Sequence, residues 1–337
     1  MSLVKTELRR LFKRRLVRLL LVLLVLGLAA IAVTFSVASH RIGPAQLAAA
    51  EARADTEFQQ QLRYHQQWVS ECEAAKARGE DITNRYPPDC DRENGPTREN
   101  FRAEWYLPYQ FDFRGQFDVF IAIFSGLLAL VAFIVGASFV GAEWHTGGMM
   151  NLLLWRPRRL SVLLTKLGVL LGTLLGLGLV LGALWTLAFW LIGRYDGVTG
   201  RLTPGVWTSF ALSGARGLGL VLAVGAVAFG LASLGRHTAM ALGAAIGVGA
   251  LSEVGLRIAV EVAGVRFGER YLLSTYALAW FQKRLSLPDW RSCNFSVGEC
   301  RPDELIVTWQ QSGLLFGAGT VLVLVAAMWA MRRRDIT

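Results

Sequence analysis

The chain has 337 residues, of which 53% are hydrophobic and only 18% charged, with a mean hydropathy of +0.41. Soluble domains carry about a quarter charged residues, so this composition excludes a soluble enzyme and points to a membrane protein. The formal charge of +10 does not mark a nucleic-acid binder, because the basic residues flank apolar runs, where positive charge sets orientation.

Taken in chain order, residues 1–18 form a basic stretch, and 19–38 are the first uncharged run long enough to cross a bilayer. The length of that run, and the lack of a small-residue cleavage site, favour a permanent span over a signal peptide. Residues 39–116 are an extracytoplasmic loop or subdomain. Its Ala/Glu/Gln/Arg-rich opening predicts a helix from Pro44 to Gly79. Tyr86-Pro87-Pro88 and Asn94-Gly95-Pro96 then break regular structure, and aromatic residues at 105–109 serve as interface anchors. The second span is predicted at 119–142, within 117–142. An inner segment, 143–166, follows. Residues 167–264 hold the third to fifth spans, with apolar runs at 167–192 and 217–235 and a fifth beginning at Thr238. That fifth run carries Glu253, Arg257 and Glu261 in its second half. Residues 265–311 are a second exterior loop or re-entrant region, and 312–337 hold the sixth span and a basic tail. Six spans place both termini on one side. That side carries fifteen basic residues against Glu7, Glu143 and Asp335, so the positive-inside rule predicts a multi-pass protein with both termini cytoplasmic.

Cys72, Cys90, Cys293 and Cys300 all fall in the two exterior loops. An oxidising exterior accounts for that partition through disulfides. Three connectivities are open, of which Cys72–Cys90 with Cys293–Cys300 is the local one. Neither pair has the C-x2–4-C spacing of a zinc site, so no metal site is expected.

No catalytic constellation emerges. The chain lacks a G-x-x-x-x-G-K-[ST] loop and an H-E-x-x-H pair. Ser125-Gly126 and Ser213-Gly214 have no histidine placed to activate them, so they read as small-residue packing. Gly168, Gly172 and Gly176, with the pairs Gly178/Gly182 and Gly243/Gly247, have the four-residue spacing of close helix contact. Glu253, Arg257 and Glu261 are also four apart. They read either as a charged ladder lining an exit path, with Arg257 bridging both glutamates, or as the solvated face of a helix outside the bilayer.

The inner segment carries the most specific pattern. Glu143, Gly147, Leu152 to Leu154, Pro157, Arg159 and Lys166 together resemble the second inner segment of the permease subunits of type-2 ABC exporters, with Gly148 where that family has threonine. Residues 1–15 are similar to the family's amphipathic elbow helix, with Leu3, Val4, Leu8, Leu11 and Phe12 on one side and cations on the other. The ending Arg332-Arg333-Arg334-Asp335-Ile336 is also similar. The resemblance implies an all-α polytopic membrane protein of six spans with an N-terminal elbow and an extracytoplasmic helical elaboration, in a bacterial plasma membrane. It further implies a permease forming an export path, with no ATPase site or cofactor of its own. ATP and Mg would be held by an ABC ATPase partner in two copies, beside a second permease copy or a homologous permease, in contact with membrane lipid and not nucleic acid. Docking would fall to Glu143, Gly147, Leu153, Trp155, Arg158 and Arg159. The rival expectation is a sensor or assembly factor with a disulfide-bonded ectodomain; a secondary transporter is less favoured, since no inverted repeat is visible.

Overall fold

The computed structural model describes residues 3–82, 85–87, 89–91, 94–149, 159–293 and 301–333. Among these, the architecture is that of an all-α polytopic membrane protein. Six helices are long and apolar enough to cross a membrane. Helix α1 (Leu3–Lys13) is amphipathic and breaks at Arg14 before α2 (Arg15–Ala38). Helix α3 (Pro44–Ala77) follows, started by proline in its first turn and closed by Arg78, after which Gly79 adopts a positive φ. The remaining helices are α4 (Phe113–His145), α5 (Arg159–Tyr195), α6 (Pro204–Gly235), α7 (Thr238–Ala250) and α8 (Arg257–Val262). A π-helical stretch, Leu251–Leu256, joins α7 to α8 without a break. Helix α9 (Leu273–Gln282) then precedes the hairpin strands β1 (Arg284–Asp289) and β2 (Asp303–Thr308), and α10 (Trp309–Arg333) closes the described chain.

The chain divides into two compact units. The first contains residues 1–32, 114–189 and 201–337. Its centre is the contact of α4 with α6, made close by small residues. A Cβ on Gly136 would lie 2.5 Å from the Gly225 carbonyl oxygen, and one on Gly141 would meet the Thr238 backbone at 2.5 Å. Ala137, Ala228, Ala232 and Ala241 fill the space between these points and are fully buried. In lipid no hydrophobic force drives helices together, so such packing carries the association. The glycines singled out by spacing behave differently. Gly168, Gly172, Gly176, Gly243 and Gly247 have nothing within 4 Å of a virtual Cβ, whereas Gly178 meets Leu218 and Gly182 meets Phe124. Spacing identifies a flat face but not the helix that uses it.

Residues 265–311, expected as an exterior loop or re-entrant region, contain an antiparallel hairpin in which Arg284 pairs with Thr308 and Asp289 with Asp303. Alternation of Leu285 and Leu287 with polar residues, matched by Leu305 and Val307, turns one face onto Ala279 and Tyr276 of α9. The fourth span also differs from expectation. It begins at Pro204 rather than near 217, and so takes Arg216 into its interior.

The second unit, residues 33–113 and 190–200, is organised on α3. The Cys72–Cys90 disulfide fixes the segment after α3 back onto the helix. Trp68 and Tyr86 meet beside it at a tilt, with ring centroids 4.7 Å apart, and Cys72, Tyr86 and Cys90 form a small buried cluster. Farther along α3, Arg98 pairs with Asp55 and lies over Phe58, which meets Phe101 edge-on at 5.6 Å. Asp196 joins the unit's two stretches, accepting from Ser36 Oγ at 2.9 Å through its carboxylate and from Ser39 Oγ at 2.9 Å through its backbone carbonyl. Cys293 is likewise disulfide-bonded, and Cys300 lies outside the described residues. Closing a loop of 18 residues stabilises by about 3 kcal/mol in the loop-entropy model. Replacing Cys72 and Cys90 together by alanine should therefore open residues 78–97 to protease while leaving the spans protected, as read by limited proteolysis and mass mapping. Unchanged protection would assign the fold of this segment to the aromatic cluster alone.

Candidate functional site

Four charged side chains meet where α1, α4 and α5 converge. Lys166, two turns into α5, is fully buried. Its ammonium donates to Glu7 Oε2 of α1 at 2.6 Å and lies 2.7 Å from Glu143 Oε2 of α4. Glu143 turns its other oxygen to Arg14 Nη2 at 2.8 Å, and Arg14 Nη1 donates to the Ser138 carbonyl at 2.7 Å. Arg10 adds a longer contact to Glu7 Oε1 at 3.2 Å from a half-exposed position. The Phe139 ring, itself buried, floors the cluster, with Lys166 Nζ 5.0 Å and the Arg14 guanidinium carbon 5.3 Å from its centroid.

The local sequence explains this convergence. On α1, Glu7 and Leu11 face inward and are buried, while Val4, Leu8 and Phe12 remain exposed. With Arg14 they are spaced four and three apart, one helical face. The apolar stripe that marks the helix as amphipathic is thus left for lipid, and the inward face is led by a carboxylate. Removing two charges from water costs several kcal/mol each, recovered only when every donor and acceptor is matched. Here each carboxylate has two cationic partners, and the four central charges, Glu7, Glu143, Arg14 and Lys166, sum to zero.

No protein-family model, curated protein or solved structure matches this chain. What the site does rests on its own geometry.

Of the residues expected to dock a partner, Glu143 lies in the ionic cluster, and Gly147 adopts a positive φ in the turn that ends α4. Arg159 opens α5. Leu153, Trp155 and Arg158 lie outside the described residues. Beside the cluster, the end of α4 packs on the α6–α7 turn. Arg236 lies over the Trp144 ring at 4.9 Å, and the rings of His145 and His237 meet edge-on at 5.0 Å. Glu7 is the residue that sequence reasoning missed. In the charge balance it is only a counter-charge, yet it is the single acidic residue among the first eighteen and shares a helical face with Leu11 and Arg14.

Of Glu253, Arg257 and Glu261, read either as a ladder or as a solvated face, Glu253 falls in the π-helical stretch and the other two in α8, so the three do not share one α-helical period. No salt bridge joins these residues among those described. Glu253 instead accepts from the Ser274 backbone N–H at 2.9 Å and its hydroxyl at 2.7 Å, while Ser252 Oγ accepts from Leu273 N. These bonds satisfy the first free N–H groups of α9, the work an N-cap side chain usually does. Arg257 and Glu261 line a separate polar cavity of about 370 Å³ with Arg266, Asp289 and Arg291. There, hydrogen bonding to Asp289 and then Asp303 holds the Arg266 guanidinium above its ordinary pKa. A second cavity, about 430 Å³, lies among α4, α5 and α6 and is lined by aromatic and small residues. Its polar groups bond internally, Ser125 to the Ile121 carbonyl, Thr186 to that of Gly182 and Trp185 to that of Phe120.

The ionic cluster gives a specific expectation. Lys166→Met leaves Glu7 buried with only the half-exposed Arg10, and should destabilise the fold by about 3–5 kcal/mol, the usual cost of breaking a buried pair. The double variant Glu7→Met/Lys166→Met leaves Glu143 paired to Arg14 and should recover most of that loss. Unfolding by SDS titration reads both; additive losses would show that the charges do not act as one unit.

Proposed function

We propose that this chain is the permease subunit of an ATP-driven exporter of the ABC type, seated in a bacterial plasma membrane with both termini cytoplasmic. On this reading two such subunits, or this one and a homologous partner, form the translocation path. Two copies of a separate ATPase supply ATP and Mg. The observation that carries the reading is the Glu7–Lys166–Glu143–Arg14 cluster. Glu143 and Lys166 bound the inner segment 143–166, where a partner ATPase would push, and both are bonded to the amphipathic helix α1 lying against the membrane.

That arrangement suits a mechanical relay. A force on the inner segment reaches α4 through Glu143 and α5 through Lys166 in the same instant, because one ammonium holds both and Glu7 together. Parting the charges would leave them unpaired in a medium of low dielectric, so the three helix ends move as one piece. The alternating-access step then consists of tilting that piece relative to α6, α7 and α10. The disulfide-bonded segment around α3 is also what a sensor or assembly factor would carry, and the same experiment separates the two readings.

Tagged protein is to be purified from native membranes in mild detergent. The expected companion is a P-loop ATPase in equal amount, with ATP hydrolysis that depends on the permease. A homogeneous preparation without an ATPase would overturn the proposal. Within the complex, Glu143→Ala should preserve assembly and abolish the permease-dependent increase in hydrolysis. Wild-type stimulation would remove Glu143 from the relay.

A further inference from the structure

Arg216 is a charge inside a span that the export reading leaves unused. It lies on α6, whose ends are Pro204 and Gly235. At 1.5 Å per residue it stands about 18 Å from the first end and about 28 Å from the second. With about 30 Å of hydrocarbon centred on the helix, the residue is roughly 9 Å inside the apolar boundary. Charged groups at such depth are rare and functional as a rule.

Its surroundings differ from those of the other buried cations. Lys166 and Arg14 are each bonded to carboxylates, whereas Arg216 donates from Nη2 to the Ser213 hydroxyl at 3.0 Å, and its buried Nε has no acceptor among the described residues. Asp118 of α4 acts on it electrostatically, but no salt bridge joins the two. The Arg216 backbone carbonyl accepts from Trp280 Nε1 of α9 at 2.8 Å, fixing this turn of the helix. Toward the Pro204 end, Ser213 and Ser209 continue the same face at spacings of three and four, and the Lys283 ammonium donates to Ser209 Oγ at 3.4 Å. Two cations and two hydroxyls thus form a polar stripe that runs from the helix end to a guanidinium with donors to spare. Ser213 is itself buried, holding the guanidinium from beneath, whereas Leu212 on the flank of the stripe is 57% exposed, so the stripe is open on that flank.

We propose that the stripe binds the acidic headgroup of an anionic phospholipid. The phosphodiester accepts from the Arg216 guanidinium, which the Ser213 hydroxyl orients; Lys283 and Ser209 make the first contact at the rim, and the acyl chains lie over the apolar flank at Leu212. A guanidinium matches a phosphodiester through paired N–H donors. The depth of the site selects a ligand that carries its own hydrocarbon. The site requires no ATPase partner, so it stands or falls apart from the export reading.

The test uses the full chain in nanodiscs containing a trace of diazirine-bearing phosphatidylglycerol, or the phosphatidylcholine analogue, with cross-linked peptides mapped by mass spectrometry. Phosphatidylglycerol should label residues 204–220 and α9 about tenfold more than phosphatidylcholine, the worth of one charge-assisted hydrogen bond. Arg216→Gln should bring that labelling down to the phosphatidylcholine level, and Arg216→Lys should keep most of it. Labelling of α1 at Arg9, Arg10 and Lys13 serves as the internal reference and should not change. Should Arg216→Gln fail to insert, Ser213→Ala/Lys283→Gln, which retains Arg216, is expected to lose part of the labelling. Equal labelling by both lipids in the unaltered chain, labelling unchanged in Arg216→Gln or in Ser213→Ala/Lys283→Gln, or its removal by excess inorganic phosphate would each overturn the assignment.

Discussion

The Lys166 ammonium, sealed from solvent and held 2.6 Å and 2.7 Å from two carboxylates, sets the arrangement of everything around it. A lone buried ammonium is untenable, and so is a buried Glu7; each makes the other's position affordable. Because Glu7 belongs to α1 and Glu143 to α4, satisfying one cation fixes the ends of three helices at once. Arg14 completes the set at the residue where α1 breaks and α2 begins. The turn from the amphipathic helix into the first span is therefore held by an ion pair as well as by the buried Leu11 and Val17 on either side of it.

Helix packing in the same unit uses a different principle. The α4–α6 contact depends on residues without bulk at Gly136, which meets the Gly225 carbonyl, and Gly217, which meets the Ser125 hydroxyl, and Gly141 lets the start of α7 approach α4 in the same way. Packing of that kind is stiff, since any added methyl group must displace backbone. Away from that contact, α9 and the hairpin are joined to the α7–α8 helix through Ser252 and Glu253, so polar caps again do the joining where lipid offers no hydrophobic force.

The six spans, the helix from Pro44 and the pairing of Cys72 with Cys90 as the local connectivity were legible because each leaves a signal within a few residues. Length of apolar run, a proline at a helix start and cysteines near in sequence need no knowledge of distant neighbours. The ionic cluster was legible only in halves. Glu143 and Lys166 stood out through a family-like pattern, whereas Glu7 lies more than a hundred residues from either and nothing local ties it to them. The same limit explains the glycines: four-residue spacing marked Gly168, Gly172 and Gly176, yet the close contacts are made by Gly136 and Gly225, whose partners are elsewhere in the chain. Arg216 escaped notice for a simpler reason. The apolar run was counted from the residue after it, and only the helix start at Pro204 puts it inside. Glu253 leaves the four-residue period of Arg257 and Glu261 because Leu251–Leu256 winds as a π-helix, which residue spacing alone does not reveal.

The neutrality of the four central charges has an electrical consequence. A single elementary charge carried across a membrane does about 2.3 kcal/mol of work for each 100 mV of potential, enough to bias a conformational equilibrium by more than tenfold. Glu7, Glu143, Arg14 and Lys166 carry no net charge between them, so the potential acts on this junction through the cations left outside that balance, among them Lys5, Arg9, Arg10 and Lys13 of α1.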